Sequence, residues 1–205
     1  MKKTAGYTPK QRNSYKRKRK SIVLLGTEGK NKTETIYFRS VQSSNYVVQF
    51  APGNYTDPVN IVHSLEQEYK ELELDADLGD VAFCLVDSDV NPAKDKQMKK
   101  ADTETDKVTM LVSSACFEVW YLCRFTASSH QYASNDEVLK ALKKHIPNYK
   151  KGMSEIWSTI GDKTKDAVKH AKQLEKICLS KKLKKHTVSF TPSTEIYKLV
   201  ELICQ

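Results

Sequence analysis

Acidic side chains follow two apolar runs of this sequence, at the point where each run ends. Glu28 lies in a Thr-Glu-Gly triplet after the run 22–26, and Asp87 and Asp89 follow the run 81–86. Both runs are typical of buried strands. Because the carboxyl ends of parallel strands meet at one edge of a sheet, we expect the three carboxylates to lie close together. Carboxylate oxygens are preferred ligands of Mg²⁺ and Mn²⁺, so the pattern predicts a site for a hard divalent cation.

Simpler interpretations of the same acids stay open. Glu28 could be a glutamate in a solvated loop, and residues 87–89 could form a surface turn before Asn91 and Pro92. The glycines at 26 and 29 do not belong to a phosphate-binding P-loop, because no Gly-Lys-Ser/Thr follows at the required spacing.

A fourth acid, Glu118, lies inside the apolar and aromatic stretch 116–125. A carboxylate in such surroundings needs a cation or a metal as its partner. Glu118 is therefore either a further metal ligand or one half of a structural ion pair, with Arg124 or a lysine as the other half. We interpret the nearby Cys116 as a packing residue, since no histidine accompanies it in a motif.

Basic segments flank this acidic region in a chain of net charge +9. Residues 1–20 carry nine Lys and Arg and no acid, residues 66–107 carry thirteen acids against six bases, and residues 140–186 carry fourteen Lys against four acids. This distribution predicts a nucleic acid as the partner. Tyr149 is either a packed side chain or a ring that stacks on a base. The cations expected to contact phosphates are Lys16, Arg17, Lys18, Arg19, Lys20, Lys30, Lys150 and Lys151.

Strand-like and helix-like segments alternate along the first part of the chain and would position these residues. The apolar runs that predict strands are 22–26, 46–51, 81–86 and 108–112. The segments that predict helices are 31–42, 58–74, 92–103 and 116–125. This order predicts an α/β fold with a mostly parallel, doubly wound sheet flanked by helices.

Beyond residue 126 the pattern predicts helices only. They are expected at 136–145, 161–180 and 194–203, with Ser193 or Thr194 as the cap of the last one. We divide the chain into three parts. These are a flexible basic arm at 1–20, an α/β core at 21–126 and a C-terminal helical extension at 127–205 that packs on the core.

Composition limits the class of protein further. The hydrophobic share of 39% and the charged share of 29% are typical of a globular domain. No apolar run reaches the roughly 18 residues of a membrane span, and the N-terminal region lacks the apolar core of a secretory signal, so we expect a cytoplasmic protein without a membrane partner. The five cysteines form no CxxC pair and are interpreted as buried, reduced thiols.

Four segments of the chain resemble the RloB family of prokaryotic defence proteins, in the family's order. They are residues 22–38 (IVLLGTEGKNKTETIYF), 86–89 (VDSD), 113–125 (SSACFEVWYLCRF) and 191–199 (TPSTEIYKL). The family pattern reads approximately EGxxTExxYF, DxD, NPCFExWLLxHF and NPSTxVxxLV. The first two elements are also similar to the Toprim domain of topoisomerases, primases and related nucleases. The departures are Ala115 for a proline, Arg124 for a histidine and Thr191 for an asparagine.

The resemblance implies a Toprim-like (Rossmann-like) core and a metal-dependent nuclease that acts as the effector of an anti-phage defence system. Asp87 and Asp89 would hold Mg²⁺ or Mn²⁺, Glu28 would bind metal or act as general base, and Glu118 is a candidate further ligand. A lysine, one of Lys30, Lys150 and Lys151, would stabilise the charge that develops on the phosphate.

Partners and competing functions follow from the same resemblance. The substrate would be RNA, tRNA included, or DNA, and a partner ATPase from the same operon is expected, while homo-oligomerisation is left open. The alternative is a non-catalytic nucleic-acid-binding protein or an adaptor that docks on the ATPase, because fold does not fix function. Nucleotidyl transfer, as in primases, has less support because the chain lacks a glycine-rich phosphate loop.

Overall fold

The computed structural model of the chain describes residues 19–29 and 32–204. The expected basic arm therefore lies outside the described residues except for Arg19 and Lys20, and Lys30 lies outside them as well.

Within the described residues, five strands form one sheet in the order β2-β1-β3-β4-β5. They are β1 (Ser21–Thr27), β2 (Tyr46–Phe50), β3 (Val81–Asp87), β4 (Val108–Ser114) and β5 (Ser193–Thr194). The first four strands are parallel, and β5 runs antiparallel to the end of β4. The prediction of an α/β fold with a mostly parallel sheet flanked by helices is confirmed.

Helices cover both faces of the sheet. They are α1 (Lys32–Ser40), α2 (Pro58–Glu71), α3 (Lys94–Glu104), α4 (Glu118–Leu122), α5 (Asn135–Lys143), α6 (Ile156–Ile160), α7 (Thr164–Ser180) and α8 (Ile196–Ile203), with short 3-10 helices at Ala76–Leu78 and Gly161–Lys163.

Local chemistry explains where α2 begins, because the Asp57 side chain accepts hydrogen bonds from the backbone N–H groups of Val59 and Asn60, and Pro58 occupies the first helical position. No helix in the described part of the chain is long and apolar enough to cross a membrane.

Two apolar clusters hold these layers together. Helices α2 and α3 cover one face of the sheet, with Val62, Leu65 and Met98 packed against inward residues of β1, β3 and β4. The other face is covered by α1 and by the helices that follow β4, and its cluster includes the fully buried Tyr37 and Trp120. Cys84, Cys116, Cys123 and Cys178 are buried free thiols, as predicted, whereas Cys204 is exposed.

The connections diverge above the carboxyl ends of β1 and β3. Strand β1 is followed by α1 and leads to β2 on one side, whereas β3 is followed by α3 and leads to β4 on the other side. Neighbouring parallel strands whose connections leave in opposite directions create a crevice at their carboxyl ends. Glu28 follows β1 and Asp87 ends β3, so both lie at this crevice.

The prediction of helices only beyond residue 126 is wrong at β5. Strand β5 pairs Thr194 with Ser113 and Ser193 with Ser114, at the end of β4. Its two residues are too few to produce the alternation that identifies a strand from sequence. Glu195, rather than Ser193 or Thr194, occupies the position before α8, although the Thr194 hydroxyl accepts a hydrogen bond from Ile196 N, the first N–H of the helix, at 3.4 Å.

Glu195 instead fastens this C-terminal segment to β4. Its Oε2 accepts hydrogen bonds from Val112 N at 3.2 Å and pairs with His186 Nε2 at 2.8 Å, and Lys198 Nζ lies 2.5 Å from its Oε1. Burial raises the pKa of Glu195, but His186 and Lys198 outweigh it and lower the pKa to about 2. Burial lowers the pKa of His186, but Glu195 and Asp102 outweigh it, so the net shift is upward.

Replacing this carboxylate tests its contribution to stability. We expect Glu195→Gln to lower the free energy of unfolding by about 1.5–3 kcal/mol, since it weakens hydrogen bonds to a buried charged group. The lowered pKa of Glu195 makes its contribution full above pH 4.5 and lost as the pH falls towards 2. Because the pKa of His186 is raised from its ordinary value of 6.5, the contribution of the His186–Glu195 pair is full below pH 6.5. It falls as the pH rises through the raised pKa. Urea denaturation followed by tryptophan fluorescence should therefore show the largest difference between pH 4.5 and 6.5.

Glu201→Gln in α8, the helix that Glu195 precedes, is the matched control. Its ion pair with Lys172 is solvent-exposed, so we expect a change of at most about 1 kcal/mol. Equal effects of the two substitutions would contradict the role assigned to Glu195.

Candidate carboxylate and lysine site

Glu28 begins the loop that leaves β1 and faces the crevice. The next residue, Gly29, has a φ of +56°, a left-handed conformation that favours glycine, and its N–H donates to Tyr55 O at 2.6 Å. This turn leaves the Glu28 side chain with 12% of its surface exposed and both of its oxygens in contact with Lys94 Nζ, at 2.9 and 2.7 Å.

The turn after β3 is held in an unusual backbone conformation. Asp89 and Val90 have φ values of +50° and +53°, and a positive φ is rare for a β-branched residue. Such conformations cost on the order of 1–3 kcal/mol each and persist where the surroundings enforce them. Here Ser88 N donates to Ser113 O at 3.0 Å, Asp89 N donates to Ala115 O at 2.9 Å, and the Ser88 and Ser114 hydroxyls are 2.8 Å apart.

Lys94 joins the two strand ends. It is the first residue of α3, and its ammonium lies 2.6 Å from Asp89 Oδ2 and 2.8 Å from the Asp87 carbonyl oxygen, in addition to its contacts with Glu28. Burial lowers the pKa of Lys94, but its hydrogen bonds to Asp89 and Glu28 outweigh burial and raise it, so the ammonium stays charged. Sequence reasoning missed Lys94, because a single lysine in a charged helix carries no signal of its own.

Glu118 lies deeper in the same cluster and is 1% exposed. Its Oε1 accepts a hydrogen bond from the Tyr149 hydroxyl at 2.9 Å, and Lys151 Nζ lies 3.7 Å from its Oε2. Of the two partners considered from sequence, the lysine is therefore the one that pairs with Glu118. Arg124 instead donates to the Tyr37 hydroxyl at 2.8 Å. Tyr149 is 2% exposed, which confirms the packed role over the base-stacking one.

A fifth acid, Glu34, was also missed and belongs to the same cluster. It lies in the first turn of α1, is 4% exposed, and interacts electrostatically with Glu28 and Glu118. The TExxYF part of the family pattern matches residues 33–38 and includes Glu34, although this chain has one residue more between Gly29 and Thr33 than EGxxTExxYF, so the pattern could have identified Glu34.

Crowding of these acids changes their protonation. Burial, followed by the charges of Glu34 and Glu118, raises the pKa of Asp87 well above its usual range. Burial also raises the pKa of Glu28 to about 7, although Lys94 opposes the shift, and it raises the pKa of Glu34 to about 7. Burial is the largest cause of each upward shift, and the charges of neighbouring carboxylates add to it. Groups of acids with raised pKa values in a crevice are typical of functional sites.

The donors fit a hard cation in type, and the cation they surround here is an ammonium. Within residues 19–29 and 32–204, no group of three or more Asp, Glu, His and Cys side chains has the arrangement that would hold a metal ion. The Lys94 ammonium lies between Glu28 and Asp89, where positive charge is required. Carboxylate and carbonyl oxygens are also the ligands that Mg²⁺ and Mn²⁺ prefer.

The predicted phosphate-binding cations are distributed over several places. Arg19 forms two hydrogen bonds with the buried Asp80 at 3.2 and 3.0 Å, and Lys20 Nζ donates to Ser43 O at 2.7 Å, both at the edge where the parallel strands begin. That edge is opposite the acids. Lys150 is exposed and Lys151 is half-exposed beside Glu118. Lys16, Arg17, Lys18 and Lys30 lie outside the described residues.

Fold and site together define an α/β protein with a cluster of acids and lysines at the crevice of a mostly parallel sheet. Comparison with known protein families matches residues 23–203 to the family described as RloB-like protein. This match covers most of the chain, so the chain belongs to the RloB-like family, as its four motifs indicated. No curated protein and no solved structure gives a significant match.

Removing the ammonium should change the titration of Glu28. Because Lys94 lowers the pKa of Glu28 against the effect of burial, we expect Lys94→Met to raise that pKa above its value of about 7. Carbon-13 NMR of the glutamate carboxyl groups, recorded across a pH series, measures the shift. Lys96→Met, an exposed lysine on the same helix, is the control and should leave Glu28 unchanged. A Glu28 that titrates near 4.5 in the unmodified protein would show that burial does not govern its protonation.

Proposed function

We propose that this protein is a metal-dependent nuclease that hydrolyses phosphodiester bonds of RNA or DNA. The observation that carries the proposal is the convergence on one crevice of the carboxylates at the ends of β1 and β3 with two buried carboxylates from α1 and α4. A structural ion pair needs one acid and one base, whereas this cluster has five acids around two lysines, and the pKa values of Glu28, Glu34 and Asp87 are raised.

Glu28, Asp87 and Asp89 are the residues proposed to hold Mg²⁺ or Mn²⁺, with Glu118 and Glu34 as the deeper candidates. When bound, the ion would supply a Lewis acid for the scissile phosphate and would lower the pKa of a coordinated water. The hard oxygen donors of the cluster and its need for positive charge support this assignment.

The side chains themselves have separate roles in the proposal. A glutamate with a pKa of about 7 is well suited to accept a proton at neutral pH, so Glu28 is the candidate general base if it does not bind metal. Lys94 keeps its charge and orients Glu28 and Asp89, and its ammonium would also stabilise negative charge on the phosphate. Lys150 and Lys151 would contact the backbone of the substrate beside Glu118.

Family membership supports the wider context. We infer a Toprim-like arrangement of the core, a role as effector of a prokaryotic anti-phage defence system, and a partner ATPase. A cytoplasmic location and a tRNA among the RNA substrates belong to the same proposal. The non-catalytic alternative, an adaptor that binds nucleic acid or the ATPase, is distinguished by the following experiment.

Metal-dependent cleavage is the direct test. The full chain is incubated with labelled single-stranded RNA, tRNA or DNA in Mn²⁺, Mg²⁺ or EDTA, with and without an ATPase encoded beside it. We expect cleavage only with metal, and a loss of at least about 100-fold in rate for Glu28→Gln and for Asp87→Asn. Because the pKa of Asp87 is raised well above its usual range, the neutral asparagine should leave the fold intact, which circular dichroism can verify.

Asp77→Asn is the matched control for these substitutions. Asp77 is an exposed acid at the edge where the strands begin, so its removal should not change the rate. Equal cleavage in EDTA, or an Asp87→Asn rate equal to that of the unmodified protein, would overturn the proposed mechanism. Binding of nucleic acid without cleavage under every condition would favour the adaptor alternative.

A further inference from the structure

A cavity of about 400 Å³ opens beside Glu28, between the carboxyl ends of β1 and β2. Thr27 and Gly29, the residues on either side of Glu28, line it together with Phe50, Tyr55 and Arg39. Cavities of roughly 300–1,000 Å³ are typical of small-molecule and cofactor sites. Because the two chain neighbours of Glu28 line it, the cavity adjoins the carboxylate and lysine site, although the metal and proton-transfer roles proposed above do not use it.

Tyr55 is an exposed aromatic ring that the backbone holds in place. Its side chain is among the few large apolar groups at the surface of the described residues, with 43% of the residue exposed. The ring lies against Gly53, where an added Cβ would be 2.4 Å from Tyr55 Cε2, and Gly53 has a φ of +118°. The Tyr55 carbonyl oxygen accepts the 2.6 Å hydrogen bond from Gly29 N. Because the ring is already packed against Gly53, it has less conformational freedom to lose when it binds a ligand.

Arg39 places a positive charge at the same cavity. It is exposed in the last turn of α1, and its guanidinium carbon lies 5.6 Å from the centre of the Phe50 ring. An arginine held over a ring keeps its outer N–H groups available for a phosphate. The cavity therefore combines an aromatic ring and a cation with an apolar wall, and aromatic rings beside positive charge are typical of sites for single-stranded nucleic acid.

We propose that this cavity binds one base of a single-stranded nucleic acid, next to the phosphate that the carboxylate site acts on. Tyr55 stacks on the base, and Arg39 contacts the adjoining backbone phosphate. The inference rests on the proposed nuclease function for the identity of its ligand. It extends that function by assigning a subsite that accepts any base through its face, so it predicts binding that is tolerant of sequence and restricted to unpaired bases.

A double-mutant cycle between ring and base tests this assignment without catalysis. Fluorescence anisotropy in EDTA measures the affinity of the full chain for labelled single strands of about 12 nucleotides, with an abasic residue moved through each position. We expect Tyr55→Ala to weaken binding of the intact strand about 5- to 150-fold, and Tyr55→Phe to bind like the unmodified protein. With the abasic residue at one position, the unmodified protein should bind the abasic strand more weakly than the intact strand. Tyr55→Ala should bind these two strands equally.

The same anisotropy assay measures a control variant and the contribution of the Arg39 charge. Leu78→Ala removes another exposed apolar side chain at the opposite edge of the sheet and should leave affinity unchanged. Arg39→Ala should lower the slope of log affinity against log salt by about 0.7, the value for one phosphate of a single strand.

The outcomes separate the subsite from the nuclease. Coupling between Tyr55 and one base in a protein that never cleaves would support the subsite and overturn the catalytic proposal. Cleavage that depends on Asp87, with equal abasic penalties in the unmodified protein and Tyr55→Ala at every position, would overturn the subsite alone. Equal losses for Tyr55→Ala and Leu78→Ala would overturn it as well.

Discussion

The ammonium of Lys94 is the interaction on which the geometry of this site depends. Glu28 reaches the crevice from β1 and Asp89 reaches it from β3, and Lys94 contacts both carboxylates as well as the Asp87 carbonyl oxygen. Like charges at this separation would drive the two strand ends to protonate or move apart if no cation lay between them. Lys94 is itself buried, and a buried ammonium without these carboxylates would be strongly destabilising. The ion pairs therefore couple the first turn of α3 to the crevice.

Strain at the turn after β3 is compensated by contacts that extend to the end of the chain. The positive φ values of Asp89 and Val90 are enforced by hydrogen bonds from Ser88 and Asp89 to the end of β4. That end of β4 is in turn paired with β5, and Glu195 anchors the pairing by exchanging hydrogen bonds with Val112. The segment that contains β5 and Glu195 thus helps to hold the end of β4, against which the turn that carries Asp89 is fixed.

Sequence reasoning succeeded where the relevant information is local. Uninterrupted apolar runs identify buried parallel strands, and parallel strands bring their carboxyl ends to one edge, so the placement of Glu28 and Asp87 could be predicted. Lys94 and β5 could not be predicted from local pattern, because each is defined by a contact between distant parts of the chain. Glu34 lies in a family motif, but its place in the cluster depends on such contacts as well. The sequence did not distinguish between the two candidate partners of Glu118. The structure does, because Arg124 donates to the Tyr37 hydroxyl whereas Lys151 pairs with Glu118.

The net charge of the crevice affects how a polyanion could bind there. Five acids and two lysines form the cluster, so full ionisation would leave an excess of negative charge that repels a phosphate. The raised pKa values show how the chain alone meets this excess, by holding protons near neutral pH. A divalent cation would replace those protons and reduce the excess of negative charge without reversing it. A site of this composition therefore repels a phosphate less with each cation that it binds.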